Sequence, residues 1–417
     1  MSTAPHFDVI VIGGGPSGMM AAGRAGSRGR RVLLIEKNKS VGKKLSITGG
    51  GRCNIFNAEE DIHALLGHYG TAAKFLYSPF SQYSMQDTRT FFEKRGLPIV
   101  IEARKRAFPA SQRAQDVTNT MKRYAVENRV EFLTGTKVKG FAVAEGRIVG
   151  VETTNGFYTA DAYIVATGGS SHKETGSTGD GIAWLKKLGH TVHDSSPDVV
   201  PVTVSEKWVK ELSGTTLSFM KITFGIDQTK KEGKFSRTGK ILFTHFGLSG
   251  PLILNSAHEI KKMLVKGPVR ATIDMYPDTD IRTLRNRVLE LFNRNRNKML
   301  KNILQECVPE GMQDAVSAQI SVELLHTRIH SVEKDNRNKL VDLLKAMPLT
   351  ITGTMGMDRA VVSDGGVDLK EIDTKTMCSK LYDNLYVTGD VLHINRPSGG
   401  FSLQLCWTTG FVAGSHA

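Results

Sequence analysis

Three glycines, Gly13, Gly15 and Gly18, stand in a G-x-G-x-x-G spacing, and a carboxylate, Glu36, follows about twenty residues on. Residues of these types at this spacing can hold a dinucleotide. Gly13 and Gly15 let the backbone turn and approach a pyrophosphate with no Cβ in the way, and Gly18 lets a helix pack close to a strand. Glu36 is placed to accept hydrogen bonds from a ribose hydroxyl. Pro16 and Ser17 inside the turn, and Lys37 after the acid, belong to the same expected set. The elements that must position them are legible on either side. Residues 9–12 form an apolar run typical of a buried parallel strand. A helix follows over 19–27, stopped at Gly29, and then a second strand over 31–35. An isolated glycine-rich turn would not bring a whole βαβ unit with it.

Three more glycine sites complete the pattern. Thr167, Gly168 and Gly169 close an apolar strand. Gly389 and Asp390 end another, where a carboxylate can take a ribityl hydroxyl. Gly399 and Gly400 precede Phe401 and Ser402, the start of a helix whose N-terminus would stabilise negative charge on a reduced flavin. A nicotinamide needs none of these and a flavin needs all of them, so the cofactor expected is FAD. With a single G-x-G-x-x-G, NAD(P)H as reductant must dock transiently.

The chain has 417 residues, which suggests two or three domains. Four cysteines without a CxxC pair argue against a disulfide scaffold or zinc site and for a reducing cytoplasm. No run is long and apolar enough for a membrane span, no metal site is expected, and the apolar N-terminus reads as a strand rather than a signal peptide. The pattern predicts a Rossmann-like α/β FAD-binding domain in two sequence pieces, 1–191 and 347–417, with a β-barrel-like plus helical domain inserted over 192–346. Alternating segments at 218–226 and 240–244 carry the antiparallel part, and a polar helical stretch spans 279–346.

The net charge is +14. A surplus of that size suits a protein that meets phosphate backbones. It clusters at 281–301, where Arg282, Arg285, Arg294 and Arg296 are the candidate nucleic-acid contacts, and in a second knot at 104–106. Ile281, Leu284, Val288 and Leu291 recur at helical spacing, so the first cluster also fits a solvated helix face.

Gly42-Lys-Lys-Leu-Ser-Ile-Thr-Gly-Gly-Gly-Arg-Cys-Asn54, Phe108-Pro-Ala-Ser111, Gly176-Ser-Thr-Gly-Asp-Gly181, Phe243-Thr-His-Phe-Gly-Leu-Ser-Gly-Pro251 and Thr376-Met-Cys-Ser-Lys380 together resemble one bacterial FAD flavoprotein family. It contains aminoacetone-oxidase-like proteins, a bile-acid-linked flavoprotein and the 23S rRNA dihydrouridine synthase A group. The resemblance runs from Val9 to Gly414. It implies the inserted barrel-like domain, and it places Lys44, Gly51, Arg52, Cys53 and Asn54 beside the flavin. The chain departs from the family near that site. Asp390 replaces a usual glutamate, His393 a usual aspartate, Arg396 a usual glycine, and Lys173 an expected proline. These changes predict a more basic mouth, which disfavours a small cationic amine and leaves an RNA substrate compatible.

Reduction of a uracil ring would need a hydride at C6, a donor to O4 and a proton at C5. Cys53 is the sharpest acid candidate, its thiol mostly protonated below an ordinary pKa of about 8.5; the alternative is a small buried cysteine packing a tight turn. Arg52 and Asn54 could bond carbonyls or anchor backbone. His245 and His393 are further candidates, and each could equally be structural. No serine or histidine lies in a nucleophile-elbow context, which argues against a hydrolase. The leading expectation is an FAD-dependent reductase of a uridine in ribosomal RNA or a ribosome precursor. A small-molecule oxidase or dehydrogenase, for an aminoacetone-like amine or a steroid-like substrate, and an FAD-containing RNA-binding or assembly protein are the alternatives.

Overall fold

A computed structural model describes residues 4–226, 233–356 and 362–417. The chain divides into two compact units, Met1–Pro197 with Val361–Ala417, and Asp198–Ala360.

The first unit is built on five parallel strands in the order Glu131–Thr134, Val32–Glu36, His6–Ile12, Gly156–Val165, Leu385–Val387. Ile12 pairs with both Ile35 and Val165, and Val165 with Val387. The strands therefore end together, and everything that follows them gathers at one carboxyl edge, where open α/β sheets bind ligands. The central strands are apolar on both faces: Val9, Ile10, Val11, Val32 and Leu34 are fully buried. The start of strand Gly156–Val165 also pairs antiparallel in a meander with Arg147–Thr153 and Val138–Ala144. A three-stranded antiparallel sheet (Phe56–Asn57, Arg106–Pro109, Ile99–Glu102) belongs to the same unit.

Helix Pro16–Ser27 runs from the glycine turn, with proline in its first turn where the missing N–H costs nothing. It is covered by the C-terminal helix Phe401–His416. A Cβ on Gly410 would stand 2.4 Å from the Ser17 carbonyl oxygen, and one on Gly414 2.3 Å from that of Ala21, so this contact is open only to glycine.

The second unit is a closed six-stranded barrel, Val202–Val204, Gly247–Ser249, Phe235–Thr244, Thr216–Gly225, Val269–Asp274 and Met347–Thr354, all neighbours antiparallel. Its interior is filled by side chains such as Ile222, Phe224, Phe243, Val269 and Ile351. Helices Ile281–Arg294, Leu300–Cys307 and Lys334–Lys345 share that core. The expected boundary at 346/347 needs correcting. Strand Met347–Thr354 closes the barrel between Val202–Val204 and Val269–Asp274, so the second piece of the cofactor unit begins later, near Val361.

Candidate active site

The carboxyl edge of the parallel sheet collects four loops. Gly13, at φ 110°, leads the first strand into its helix, and a Cβ there would meet the Ala166 carbonyl at 2.5 Å. A Cβ on Gly18 would stand 1.8 Å from the Gly13 carbonyl, which makes glycine obligatory. Gly15, by contrast, faces open space. The helix begins there with no side-chain cap, leaving first-turn N–H groups directed at the edge. Thr167 contributes a buried hydroxyl with no hydrogen-bond partner.

Glu36 is 9% exposed and organises this turn. Its Oε2 accepts from the Gly14 N–H at 2.7 Å, and its Oε1 accepts from the Asn38 backbone and side chain at 2.8 and 2.7 Å. One lone-pair site on Oε2 stays available to a hydroxyl. Lys37 turns away to Asp180 (2.9 Å) and Thr178 (2.6 Å). Lys44 is half-buried and donates to the Ser171 hydroxyl at 2.8 Å and carbonyl at 3.1 Å; desolvation lowers its pKa, opposed by Asp390. Ser171 carries no sequence signal for this role.

After strand Leu385–Val387, Gly389 packs against Ser17, so that the two ends of the chain meet at the turn. Asp390 pairs with Arg396, whose side chain is only 1% exposed and also donates to the Ile394 carbonyl and, at 3.0 Å, to the Ser402 hydroxyl. Arg396 was expected to make a mouth basic. It is instead a sealed counter-ion whose charge is consumed internally; Lys173 does stand exposed. Helix Phe401–His416 starts at Gly400, φ 99°, without a side-chain cap.

Residues 49–51 are three successive left-handed glycines, at φ 59°, 68° and 84°. Cys53 follows at φ 61° with no exposed surface, and burial pushes its thiol up to about 12. Arg52 is held by Glu102 and Gln112 and lies over the Phe108 ring at 4.1 Å. Asn54 donates to the Phe56 and Ala107 carbonyls and accepts from the Gly400 N–H, tying this loop to the last helix. Of the other candidates, His393 is half-buried in the first unit, its ring stacked on His193 at 4.1 Å. His245 is exposed in the second unit, at the turn between strands Phe235–Thr244 and Gly247–Ser249, edge-on to Phe246.

In the second unit helix Ile281–Arg294 is capped by Asp280 and buries Leu284, Val288 and Phe292. The inward stripe ends on Phe292 rather than Leu291, and Ile281 is 40% exposed. Arg282, Arg285, Arg294 and Arg296 all face solvent; Arg285 pairs with Asp342 at 3.1 Å, while the other three have no ion pair among the described residues. Residues 296–300 pair with 327–330, so Arg296 and Lys298 share a ladder with the exposed Arg328 and His330.

A dinucleotide fits these residues: an open Gly15 and two uncapped helix starts leave unpaired backbone N–H groups for a pyrophosphate. Among the described residues no helix is long and apolar enough to cross a membrane. Residues 7–416 match the model of the HI0933-like protein Rossmann domain. The chain is 28% identical over 415 residues to the 3-dehydro-bile acid delta(4,6)-reductase of Clostridium scindens, covering 98% of each. It is 28% identical over 413 residues to the ribosomal RNA dihydrouridine synthase of Escherichia coli, covering 98% of this chain and 97% of the relative. Its fold resembles that of a flavocytochrome c3 fumarate reductase, with a TM-score of 0.55 at 14% identity, over 100% of this chain and 78% of that one. The match across nearly the whole chain, together with the glycine turns and the acid at the sheet edge, makes this chain a member of the HI0933-like Rossmann family of FAD-dependent oxidoreductases.

Proposed function

We propose that this protein reduces a uridine of ribosomal RNA to dihydrouridine in the cytoplasm, with NAD(P)H as the hydride source. The observation that carries the reading is the solvent-facing, largely unpaired row of Arg282, Arg294 and Arg296, set in a chain of net charge +14 that is similar end to end to a ribosomal RNA dihydrouridine synthase. Flexible cations without acid partners are what a phosphate backbone requires.

FAD, when bound, exchanges a hydride with reductant and substrate. The chain's own residues bind and orient. The turn Gly13, Gly15, Pro16, Ser17, Gly18 and its helix face the pyrophosphate, and Glu36 takes a ribose hydroxyl, with Lys37 tying that strand end to Thr178 and Asp180. Thr167, Gly168, Gly169, Gly389 and Asp390 line the ribityl chain, and Lys44, Gly51, Arg52, Cys53 and Asn54 shape the wall opposite Gly399, Gly400, Phe401 and Ser402. For the proton at the substrate carbon the reading favours His393, which follows Asp390 closely and keeps exposed surface, over the sealed Cys53; His245 is third.

A second reading, reduction of a small molecule, is favoured by the equal identity to the bile-acid reductase; both named reactions saturate a carbon–carbon double bond. Mass spectrometry of ribosomal RNA nucleosides from a strain lacking the gene, and from the complemented strain, decides. Loss of one dihydrouridine that returns on complementation is expected. Unchanged dihydrouridine, with anaerobic oxidation of the NAD(P)H-reduced protein by an unsaturated 3-oxo steroid, would establish the second.

A further inference from the structure

The basic knot at 104–106 lies in the first unit, away in sequence from the arginine row of helix Ile281–Arg294. It forms the tip of a hairpin between strands Ile99–Glu102 and Arg106–Pro109, closed where Glu102 pairs with Arg106. Arg104 (φ 61°) and Lys105 (φ 57°) are consecutive non-glycine residues in the left-handed region. A side chain there is sterically disfavoured, and glycine or asparagine is the usual occupant. Strain of this kind persists only where surroundings impose it, and it gathers at functional sites.

The surroundings do impose it. The Arg104 carbonyl accepts from Asn57 Nδ2 at 3.3 Å, and the same nitrogen donates to the Gly399 carbonyl at 3.1 Å. The Lys105 carbonyl accepts from the Ala58 N–H at 2.7 Å. One flank of the tip is thus fixed beside Gly399, at the start of the last helix. On the other flank Arg52 reaches across from the triple-glycine loop to Glu102. The acids facing this group are taken: Glu102 serves Arg52 and, at 3.8 Å, Arg106, while Glu59 holds Lys105 at 2.6 Å. Arg104 is exposed and has no acid partner among the described residues. The hairpin therefore holds one uncompensated guanidinium between the two glycine loops that flank the cofactor edge.

We infer that Arg104 grips a phosphodiester of the RNA substrate at the rim of the cofactor site, a substrate-positioning contact separate from the basic helix of the second unit. The inference rests on the RNA reading above. A guanidinium offers a planar fork of donors that matches a phosphate bidentately, which explains an arginine where the backbone favours glycine.

The test uses FAD-loaded protein and a fluorescently labelled single-stranded polyuridine RNA, with affinity measured across a KCl series. Arg104→Asn suits the left-handed backbone and removes the charge. Its flavin content should be unchanged and its melting temperature equal or higher, while RNA binding weakens and the log–log salt slope falls by about 0.7, the share of one phosphate contact on a single strand. Arg104→Lys should restore the slope. If the unmodified protein binds the RNA and Arg104→Asn leaves slope and affinity unchanged, the inference fails while the RNA reading stands. If Arg104→Asn lowers the melting temperature with no change of slope, Arg104 is structural and the inference again fails. If the unmodified protein does not bind the RNA at any salt, both fall.

Discussion

Replacing Arg396 by leucine removes the counter-ion of Asp390 and strands two further acceptors. The Arg396 side chain is 1% exposed and that of Asp390 19%. Losing one member of a buried pair costs about 3–5 kcal/mol, because the remaining charge stays in a poorly solvated place. Asp390 retains some contact with water, so the lower end, about 3 kcal/mol, is appropriate, and it already includes the unpaired Ile394 carbonyl. For a folding unit of this size, 1 kcal/mol moves the midpoint by roughly 2–4 °C, giving a drop of roughly 6–12 °C. Thermal melts of cofactor-free protein by circular dichroism at neutral pH would read this. The double variant Asp390→Leu with Arg396→Leu should recover much of the loss, since no charge is then left alone. A single variant that melts within about 2 °C of the parent, or a double variant whose loss is the sum of the two singles, would refute the assignment of a tightly coupled buried pair.

Three other outcomes are expected. His190 is 3% exposed, bonded to Glu371 and Ser379 at 3.0 Å each, and burial holds its pKa below the ordinary 6.5, with Glu371 opposing. The unfolded chain therefore takes up this proton first, so the unfolding free energy from urea titrations should fall as pH drops below 6.5 by at most about 1.4 kcal/mol per unit, and His190→Gln should flatten that slope. In stopped-flow measurements, His393→Asn should leave flavin reduction by NAD(P)H near normal and slow reoxidation by substrate by roughly 10²–10⁴-fold, whereas Cys53→Ala should stay within about tenfold of the parent; the reverse pattern would return the proton to Cys53. Changing Arg282, Arg285 and Arg294 to glutamate should weaken RNA binding and flatten its salt dependence with FAD content unchanged, and an unchanged slope would make that row an ordinary solvated face.

The cofactor half of the fold was legible because its constraints are local. Gly13, Gly15 and Gly18 stand in a fixed spacing within one six-residue stretch, and the periods of strand and helix are written beside them. What eluded sequence reasoning depended on distant partners. Met347, Leu349 and Ile351 alternate as in any strand, and only pairing with Val202–Val204 and Val269–Asp274 assigns that strand to the barrel. Arg396 is a long charged side chain, and composition alone places such residues outside; its burial follows from how the loop after Asp390 folds back. The left-handed backbone at Arg104 has no signature, since glycine, asparagine and aspartate are the residues that announce it and none stands there.

The pairing of helix Pro16–Ser27 with helix Phe401–His416 has a consequence for how the protein is made. The first helix leaves the ribosome early, while the surface meant for Ser17 and Ala21 lies almost the whole chain away, on Gly410 and Gly414. At ordinary elongation rates of roughly 5–20 residues per second, that first strand and helix spend on the order of a minute with their apolar backs uncovered. The barrel, contiguous in the chain, has its complete complement of strands by residue 354, ahead of that last helix by roughly 2–10 s at the same rate. Synthesis thus presents a finished middle and an open beginning, and the cofactor unit can be completed only once residues 401–416 have been made. During that interval the nascent chain is a natural client for chaperones, and truncation ahead of residue 401 should abolish cofactor retention and expose that first helix to proteolysis.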